Sequence, residues 1–155
     1  MQNAHLSCST EDTVSALADA EATCLSKGVR LTPIRRRVLE LLLRASSPVK
    51  AYDLMDNLDG DGAAKPPTVY RALDFLLELG FAHKIESLNA FVACGHRDHR
   101  HAAAFLICLK CESTQELHAT STFAALEAES KNVGFKIDHA VVEVRGVCDA
   151  CRAAA

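Results

Sequence analysis

Two Cys-x-x-Cys pairs stand in the second half of the chain, at residues 108–111 and 148–151. Thiols at this spacing can exchange electrons, hold a catalytic metal or hold a structural metal, because each tight turn lets two thiolates reach one ion. Two such turns supply the four sulfurs of the tetrahedron that zinc prefers. The pairs therefore predict a closed, structural zinc site, with redox thiols or unbound buried thiols as the less favoured interpretations. Its ligands would be Cys108, Cys111, Cys148 and Cys151.

A second, more scattered group of possible metal ligands combines imidazole, thiolate and carboxylate groups. A mixed set of N, S and O ligands suits zinc better than magnesium or calcium, and one thiolate among imidazoles disfavours ferrous iron. Any one of these histidines, taken singly, is more simply a surface residue. Because the group draws on both halves of the chain, a metal ion bound by it would set the angle between them. Its members are His83, Cys94, His96, His99, His101 and Glu116.

Two classes of enzyme also use cysteine pairs. A zinc-dependent nucleobase deaminase requires His-x-Glu and Pro-Cys-x-x-Cys, whereas the chain has no His-x-Glu, and Ile107 and Val147 precede its two pairs. A disulfide oxidoreductase requires a Cys pair at the start of a helix, with no second pair to trap it on a metal. We therefore expect no enzyme activity and no small-molecule substrate other than zinc, with a zinc-dependent enzyme as the less favoured alternative.

The composition is that of a folded protein from a reducing compartment. The 155 residues are 49% hydrophobic, which excludes general disorder and is enough for one ordinary domain or two small ones. There is no apolar run of about eighteen residues, and the acidic opening lacks the basic segment of a secretory signal. We expect a cytoplasmic location without membrane contact, where cysteines are thiols or metal ligands rather than disulfides.

Hydrophobic spacing predicts the helices that position these groups. In "LTPIRRRVLELLLRA", Thr32 is a suitable N-cap and Pro33 a suitable first helical residue. "AYDLMDNL" predicts a shorter helix, and "PPTVYRALDFLLELG" predicts one that begins at its prolines, has Thr68 as a cap and ends at Gly80. The residues predicted to be buried are Ile34, Val38, Leu41, Leu42, Ala45, Ala51, Leu54, Met55, Leu58, Val69, Leu73 and Leu76.

The helices lead into a predicted hairpin, because "FAHKIE" and "AFVAC" alternate in a strand-like way around "SLN". Three helices and a hairpin make a winged helix-turn-helix. In such a unit the helix that begins near Pro67, the reading helix, enters the major groove of DNA and presents Tyr70 and Arg71 to base edges. An ordinary exposed helix face is the alternative interpretation of these two residues.

The charge distribution agrees with a nucleic-acid partner more than the net charge of −3 does. Residues 27–50 carry seven basic residues against the single acid Glu40, a local balance of +6. Residues 1–26 carry four acids and no Lys or Arg. Taken alone, the basic run is equally well explained as a solvated helix face.

From about residue 101 the pattern becomes that of a small α+β unit. "AAAFLIC" and "STQELHA" predict strands that flank the first Cys pair, "TFAALEAESKNVG" predicts a helix, and "KIDHAVVEVRGVC" predicts a strand that leads to the second pair. The expected fold class is α+β. The expected divisions are a winged helix at 1–94, a His-rich hinge at 95–102 and a zinc-containing α/β domain at 103–155.

Several segments together resemble the ferric uptake regulator family of metal-sensing repressors. They are "RLTPIRRRVLELL", "AYDLMDNL", "AKPPTVYRALDFLLELGFAHKIES" and the two Cys pairs, so the resemblance covers about residues 14 to 152. "AKPPTVYRALDFLLELGFAHK" is most similar to the branch of zinc uptake regulators. The resemblance implies a homodimeric repressor of zinc uptake genes, with a C-terminal dimerisation domain, that binds AT-rich palindromic operators when regulatory zinc is bound. An iron or peroxide sensor of the same family is the alternative, and the Cys94 thiolate favours zinc.

The same resemblance implies roles for individual residues. It implies two zinc ions per chain, one on the four paired cysteines and a regulatory one on His83, Cys94, His101 and Glu116. The DNA-binding residues that it implies are Tyr70 and Arg71 for the bases, Arg30, Tyr52 and Lys65 for the phosphate backbone, and Thr68 at the start of the reading helix.

The His-rich hinge leaves part of this assignment open. His96 or His99 is an alternative to His101 as the regulatory ligand, and either one is a candidate for a third site with a histidine further along the chain. Cys24 matches no ligand position, and we expect it to be buried in a helix. The histidines further along the chain are His118 and His139. Cys8 has no assigned role.

Overall fold

The computed structural model describes residues 10–58, 65–94, 103–117, 119–138 and 140–154. The chain forms two compact units, an N-terminal unit of residues 1–100 and a C-terminal unit of residues 101–155. Helices and small sheets together give the α+β class that was predicted. No helix among the described residues is long and apolar enough to cross a membrane. The predicted hinge at 95–102 lies outside the described residues, so its bounds stay a prediction.

The described residues of the N-terminal unit form four helices and a two-stranded hairpin, one helix more than the hydrophobic pattern predicted. The additional helix precedes the three expected ones and buries a short face that includes Leu17, Ala20 and Cys24. Small and polar residues dominate it, which explains why its periodicity is weak. The elements are α1 (Thr10–Ser26), α2 (Pro33–Arg44), α3 (Ala51–Leu58), α4 (Pro66–Glu78), β1 (Ala82–Ile85) and β2 (Ala90–Ala93).

Helix α2 begins where the sequence predicted, with Thr32 as the extended N-cap and Pro33 as the first helical residue, although the Thr32 side chain makes no capping hydrogen bond. Its buried face is wider than the predicted one, because α2 packs against both α1 and α4. Of the residues predicted to be buried here, Val38 and Leu42 are fully buried, whereas Ile34, Leu41 and Ala45 are partly buried. The fully buried residues of α2 are Val38, Leu39, Leu42 and Leu43.

Helix α4, the predicted reading helix, buries the residues expected of it, together with Ala72. The expected cap was wrong: Lys65 is the N-cap, and Thr68 lies within the first turn, because the helix begins at Pro66. Its end agrees with the prediction. Gly80 adopts a φ of 75°, and the Phe81 N–H donates to the Leu76 carbonyl at 2.8 Å, which closes the helix and directs the chain into β1.

The hairpin completes the winged helix. Strands β1 and β2 pair antiparallel, with His83 opposite Val92, across a turn in which Asn89 adopts a left-handed conformation with a φ of 47°. A short bridge joins the hairpin to the segment before α3, since Val49 and Phe91 exchange two backbone hydrogen bonds of 2.8 Å. Buried residues of the four helices form one apolar core, to which the hairpin adds Ala82, Phe91 and Ala93.

The C-terminal unit contains a three-stranded sheet whose order is β4-β3-β5, with β3 in the centre. Strand β3 pairs antiparallel with β4 and parallel with β5. The three strands and the longer helix were predicted, whereas the short last helix was not. The elements are β3 (Ala103–Cys108), β4 (Thr114–Leu117), α5 (Thr120–Asn132), β5 (Val141–Gly146) and α6 (Asp149–Ala153).

Candidate metal centres and nucleic-acid interface

The two Cys pairs meet at the ends of the parallel strands β3 and β5. Cys108 is the last residue of β3 and lies opposite Gly146, the last residue of β5. The Leu109 N–H donates to the Gly146 carbonyl at 2.8 Å, which joins the two turns that carry the cysteines. Cys148 is the N-cap of α6. Parallel pairing thus brings together cysteines that 36 intervening residues, 112 to 147, separate in the sequence.

The geometry of the four sulfurs fits a zinc ion. All four ligand atoms lie within 4.8 Å of one another, and the Sγ atoms of Cys111 and Cys148 are 3.7 Å apart. Zinc–sulfur bonds of about 2.3 Å at tetrahedral angles separate two sulfurs by about 3.8 Å. The N–H groups of Lys110 and Cys148 each donate to Cys108 Sγ at 3.4 Å, an arrangement that stabilises a thiolate. Four sulfurs complete the coordination of zinc, so no position is left for a substrate.

The ionisation of these thiols favours a bound cation. The Cys148 N–H is the main cause that lowers the pKa of Cys108 to about 6. A hydrogen bond of 3.1 Å with the Ser113 hydroxyl lowers the pKa of Cys111. In contrast, a hydrogen bond with the Cys148 thiol raises the pKa of Cys151 to about 12. The four groups do not all ionise at neutral pH unless a bound cation compensates their charge, which zinc does.

The hairpin of the N-terminal unit holds a second pair of possible ligands, His83 and Cys94. His83 lies opposite Val92, so Cys94, two residues further on, lies diagonally across on the same face. The Cys94 N–H donates to the Phe81 carbonyl at 2.9 Å, which continues the hairpin pairing to this residue. The ligand atoms of His83 and Cys94 are within 4.8 Å of each other, and the His83 side chain is only 6% exposed. An imidazole and a thiol are therefore within reach of one metal ion.

Glu116 and Cys24 are the further described residues whose positions bear on the sequence predictions. Glu116 lies in β4 of the C-terminal unit, opposite Phe105, and is partly buried. Cys24 is buried in α1, as expected, and burial raises the pKa of its thiol. Cys8, which has no assigned role, lies outside the described residues, as do the remaining candidate ligands: His96, His99, His101, His118 and His139.

All six residues predicted to bind DNA are exposed on the N-terminal unit. Tyr70 and Arg71 lie on α4, on the side away from the buried Val69 and Leu73. Exposed aromatic and guanidinium groups on the first half of a helix are suited to contact base edges. The others lie nearby in the sequence, in the same helix, in α3 or just before α2 and α4: Thr68, Tyr52, Arg30 and Lys65.

The basic run is less open to a partner than its sequence suggests, because several of its cations bind acids of the same unit. Arg36 bonds Glu21 of α1 at 2.7 Å. Glu40 accepts from Arg37 at 2.9 Å and from Arg44 at 2.7 Å, and the Arg37 hydrogen bond is the main cause that lowers the pKa of Glu40. Glu40 is already counted in the local balance of +6, and the ion pair with Glu21 lowers this balance to +5.

Arg35, the first of three consecutive arginines in the basic run, makes contacts within the protein that the sequence did not predict. The Arg35 guanidinium carbon lies 3.6 Å from the centroid of the Phe75 ring, and Nη1 donates to the Arg30 carbonyl at 2.8 Å. The run of three arginines gave no sign that the first one turns towards α4. The only signal was Phe75 itself, an aromatic residue beside the predicted buried stripe of that helix.

Comparison with known proteins identifies relatives of the whole chain. The zinc uptake regulation protein of Escherichia coli (strain K12) is 44% identical over 141 residues, which cover 90% of this chain and 82% of that protein. Among solved structures, holo XcZur is 48% identical with a TM-score of 0.82, over 90% of this chain and 98% of that one. A zinc uptake regulator complexed with zinc and DNA is 42% identical with a TM-score of 0.87, over 95% of this chain and 98% of that one.

The match to a family covers most of both units. Residues 26–145 match the ferric uptake regulator family, a range that runs from the end of α1 into β5. The winged helix, the α/β unit and the converging cysteines all fall within the range or directly beside it. With a family match over more than half of its length, the chain belongs to the ferric uptake regulator family.

Proposed function

We propose that the protein is a zinc-responsive transcriptional repressor. It binds AT-rich palindromic operator DNA as a homodimer when regulatory zinc is bound, and controls zinc uptake genes. The observation that carries this proposal is the pair His83 and Cys94, an imidazole and a thiol within reach of one ion on the hairpin of the unit that exposes α4. The 44% identity to a zinc uptake regulation protein supports a regulator rather than an enzyme.

The proposed zinc content is two ions per chain. The structural ion takes the four paired cysteines, whose sulfur geometry fits zinc. The regulatory ion takes His83 and Cys94, with His101 and Glu116 as the ligands that the family resemblance implies. Within the family, a thiolate at Cys94 favours zinc over iron, which supports zinc sensing above the alternative of iron or peroxide sensing.

The homodimer is supported by apolar surface on the C-terminal unit, which we propose as the dimerisation domain. None of the residues of α5, all of which are described, is buried within the single chain. Leu106 and Val144 are neighbours in the sheet and are 38% and 49% exposed. Exposed apolar surface of this kind marks an interaction site. A second copy of the chain is the partner that a palindromic operator requires.

Metal analysis combined with DNA binding tests this function. The purified protein should contain two zinc ions per chain and should bind a labelled AT-rich palindromic duplex in preference to the same duplex with scrambled half-sites. A mild chelator should remove one zinc ion and the preference, and added zinc should restore both. Unchanged preference after the loss of that ion would contradict zinc-responsive repression, and restoration by ferrous iron alone would favour an iron sensor.

A further inference from the structure

Arg35 lies at a point where three segments of the N-terminal unit meet. It belongs to the first turn of α2, its guanidinium carbon lies 3.6 Å from the centroid of the Phe75 ring on α4, and Nη1 donates to the Arg30 carbonyl at 2.8 Å. Arg30 belongs to the segment that connects α1 to α2. A single guanidinium therefore joins α2, the segment before it and the reading helix.

The two contacts use different parts of the guanidinium. Its flat face covers the Phe75 ring in a cation–π contact, while one N–H at its edge serves the carbonyl. Both side chains are partly buried. A lysine at this position would keep the charge but has no flat face and no fixed fork of donors. The contacts thus depend on the shape of arginine, and they direct its charge towards the protein rather than towards a phosphate.

Phe75 lies one turn after Arg71 on α4. Residues four apart on a helix are neighbours on one side, so a contact that holds Phe75 also limits rotation of α4 about its axis. That rotation sets the direction in which Arg71, the proposed base-contacting residue, leaves the helix. The hydrogen bond to the Arg30 carbonyl likewise limits the backbone from which Arg30, the proposed phosphate contact, extends.

We propose that Arg35 is a positioning residue for operator recognition. It fixes the rotation of α4 and the backbone of Arg30, so that the base contact of Arg71 and the phosphate contact of Arg30 form together, and it does not itself contact DNA. This inference rests on the proposed DNA-binding function and adds to it a residue that acts through Phe75.

Three variants and one matched control test this role. Arg35→Lys removes the flat guanidinium at constant charge, Phe75→Leu removes the ring, and the double variant removes both. Arg36→Lys is the control, because the bond of Arg36 to Glu21 joins α2 to α1 rather than to the reading helix. The probe is a palindromic duplex that the zinc-loaded wild-type protein selects from a randomised pool, with a random duplex of equal length for comparison. Circular dichroism and thermal unfolding establish that each variant is folded at the temperature of the binding assay.

Each single variant should lose roughly 3- to 30-fold in affinity for the selected duplex, the range expected when a partly buried cation–π contact is lost. Phe75→Leu should leave the affinity for the random duplex and the dependence on salt unchanged, because it removes no phosphate contact. Arg35→Lys also releases the backbone of Arg30, so its affinity for the random duplex should fall, but by less than its affinity for the selected duplex. The double variant should lose no more than the weaker-binding single variant, since both remove one interaction. The control should stay within about twofold of the wild-type protein.

Three results would overturn the inference. Unchanged affinity together with a lower unfolding temperature would show that the contact serves stability alone. Losses that multiply in the double variant, or a Phe75→Leu variant without effect, would show that Arg35 contacts DNA itself. A wild-type protein that selects no duplex would contradict the proposed function, and the inference would fall with it. A wild-type protein that selects a duplex, with variants that bind this duplex equally well, would contradict the inference alone.

Discussion

At the scale of single residues, the convergence of the four paired cysteines was the most predictable feature of the protein. Cys-x-x-Cys carries its chemistry in its own spacing, because the turn that presents two sulfurs is local. Cys108 and Cys148 were therefore assigned without knowledge of the sheet. Arg35 was not, because an arginine in a basic run looks the same whether it faces a phosphate or an aromatic ring. Which one it faces depends on where α4 packs.

The four-cysteine site predicts a strong effect of one sulfur-to-oxygen change. Cys108→Ser should lose the structural zinc and unfold the C-terminal unit and the proposed dimer, because metal binding stabilises small zinc-folded units by on the order of 10 kcal/mol. Zinc analysis and size-exclusion chromatography measure both effects. Cys24→Ala, which changes a cysteine of α1 that is not a predicted ligand, should keep the full zinc content. A Cys108→Ser protein that remains a dimer with its full zinc content would remove the structural assignment.

We propose that some exposed basic residues contact DNA bases and others contact phosphate, so only the former should depend on the DNA sequence. Arg71→Ala should weaken binding to the operator by about 1 to 3 kcal/mol and relax base preference, because a good base contact is worth that much discrimination. Lys65→Ala should weaken binding to all duplexes alike and reduce the salt dependence. Titration of operator and random duplexes at several salt concentrations distinguishes the two. Equal losses on both duplexes for Arg71→Ala would show that it contacts phosphate only.

At the scale of the elements, the apolar spacing of α2, α3 and α4 predicted these three helices, whereas α1 was not predicted from its spacing. All four predicted buried residues of α3 are buried. Helix α1 escaped prediction because few large apolar residues mark its inner face. Its presence then changed the outcome for α2, whose buried face widened to include Leu39 and Leu43 where α1 and α4 both cover it. The apolar spacing of α2 does not show that a further helix, α1, packs against it.

The ion pairs of α2 predict a pH-dependent contribution to stability. Glu40 has a pKa below its ordinary value of 4.5, chiefly because of its hydrogen bond with Arg37. In the acidic range the unfolded chain therefore binds more protons at this site than the folded protein does. The stabilisation is complete above pH 4.5 and is lost as the pH falls through the lower pKa of the folded protein.

Glu40→Gln tests this contribution. The variant should be less stable than the wild-type protein at neutral pH, by no more than about 1 kcal/mol because both arginine side chains are about half exposed. The difference should shrink as the pH falls below 4.5, and high salt should reduce it. Urea unfolding of both proteins across this range is the measurement. A difference that grows towards acid would contradict the assigned ion pairs.

At the scale of the whole molecule, the sequence predicted that the two Cys pairs meet, but it did not predict the strand pairing that brings them together. Two Cys pairs and an intervening strand, helix and strand were recognised, yet the parallel pairing of β3 with β5 is what places both pairs at one end of the sheet. Exposed apolar residues such as Leu106 and Val144 depend likewise on sheet register, since their alternation alone does not show which face stays uncovered. The apolar pattern of a single strand does not predict which distant strand it pairs with.

The proposed function requires a coupling between two ligands of the whole protein. Zinc can raise the affinity for DNA only if it binds the DNA-competent form more tightly, and DNA must then raise the affinity for zinc by the same factor. A coupling of about 1 to 3 kcal/mol corresponds to a change in DNA affinity of roughly 5- to 150-fold, which is enough for a regulatory response. His83 and Cys94 lie in the same unit as α4, so removal of either one should abolish this coupling while the four-cysteine site stays intact.

The most direct test is titration of a labelled palindromic duplex at buffered free zinc by the wild-type protein, Cys94→Ser and the Cys24→Ala control. The wild-type protein and the control should gain roughly 5- to 150-fold in affinity for the duplex as free zinc rises. Cys94→Ser should retain one zinc ion per chain and a folded dimer, and it should show no such gain. A Cys94→Ser protein that keeps the full zinc-dependent gain would contradict the account, because the hairpin ligands would then not be the sensor.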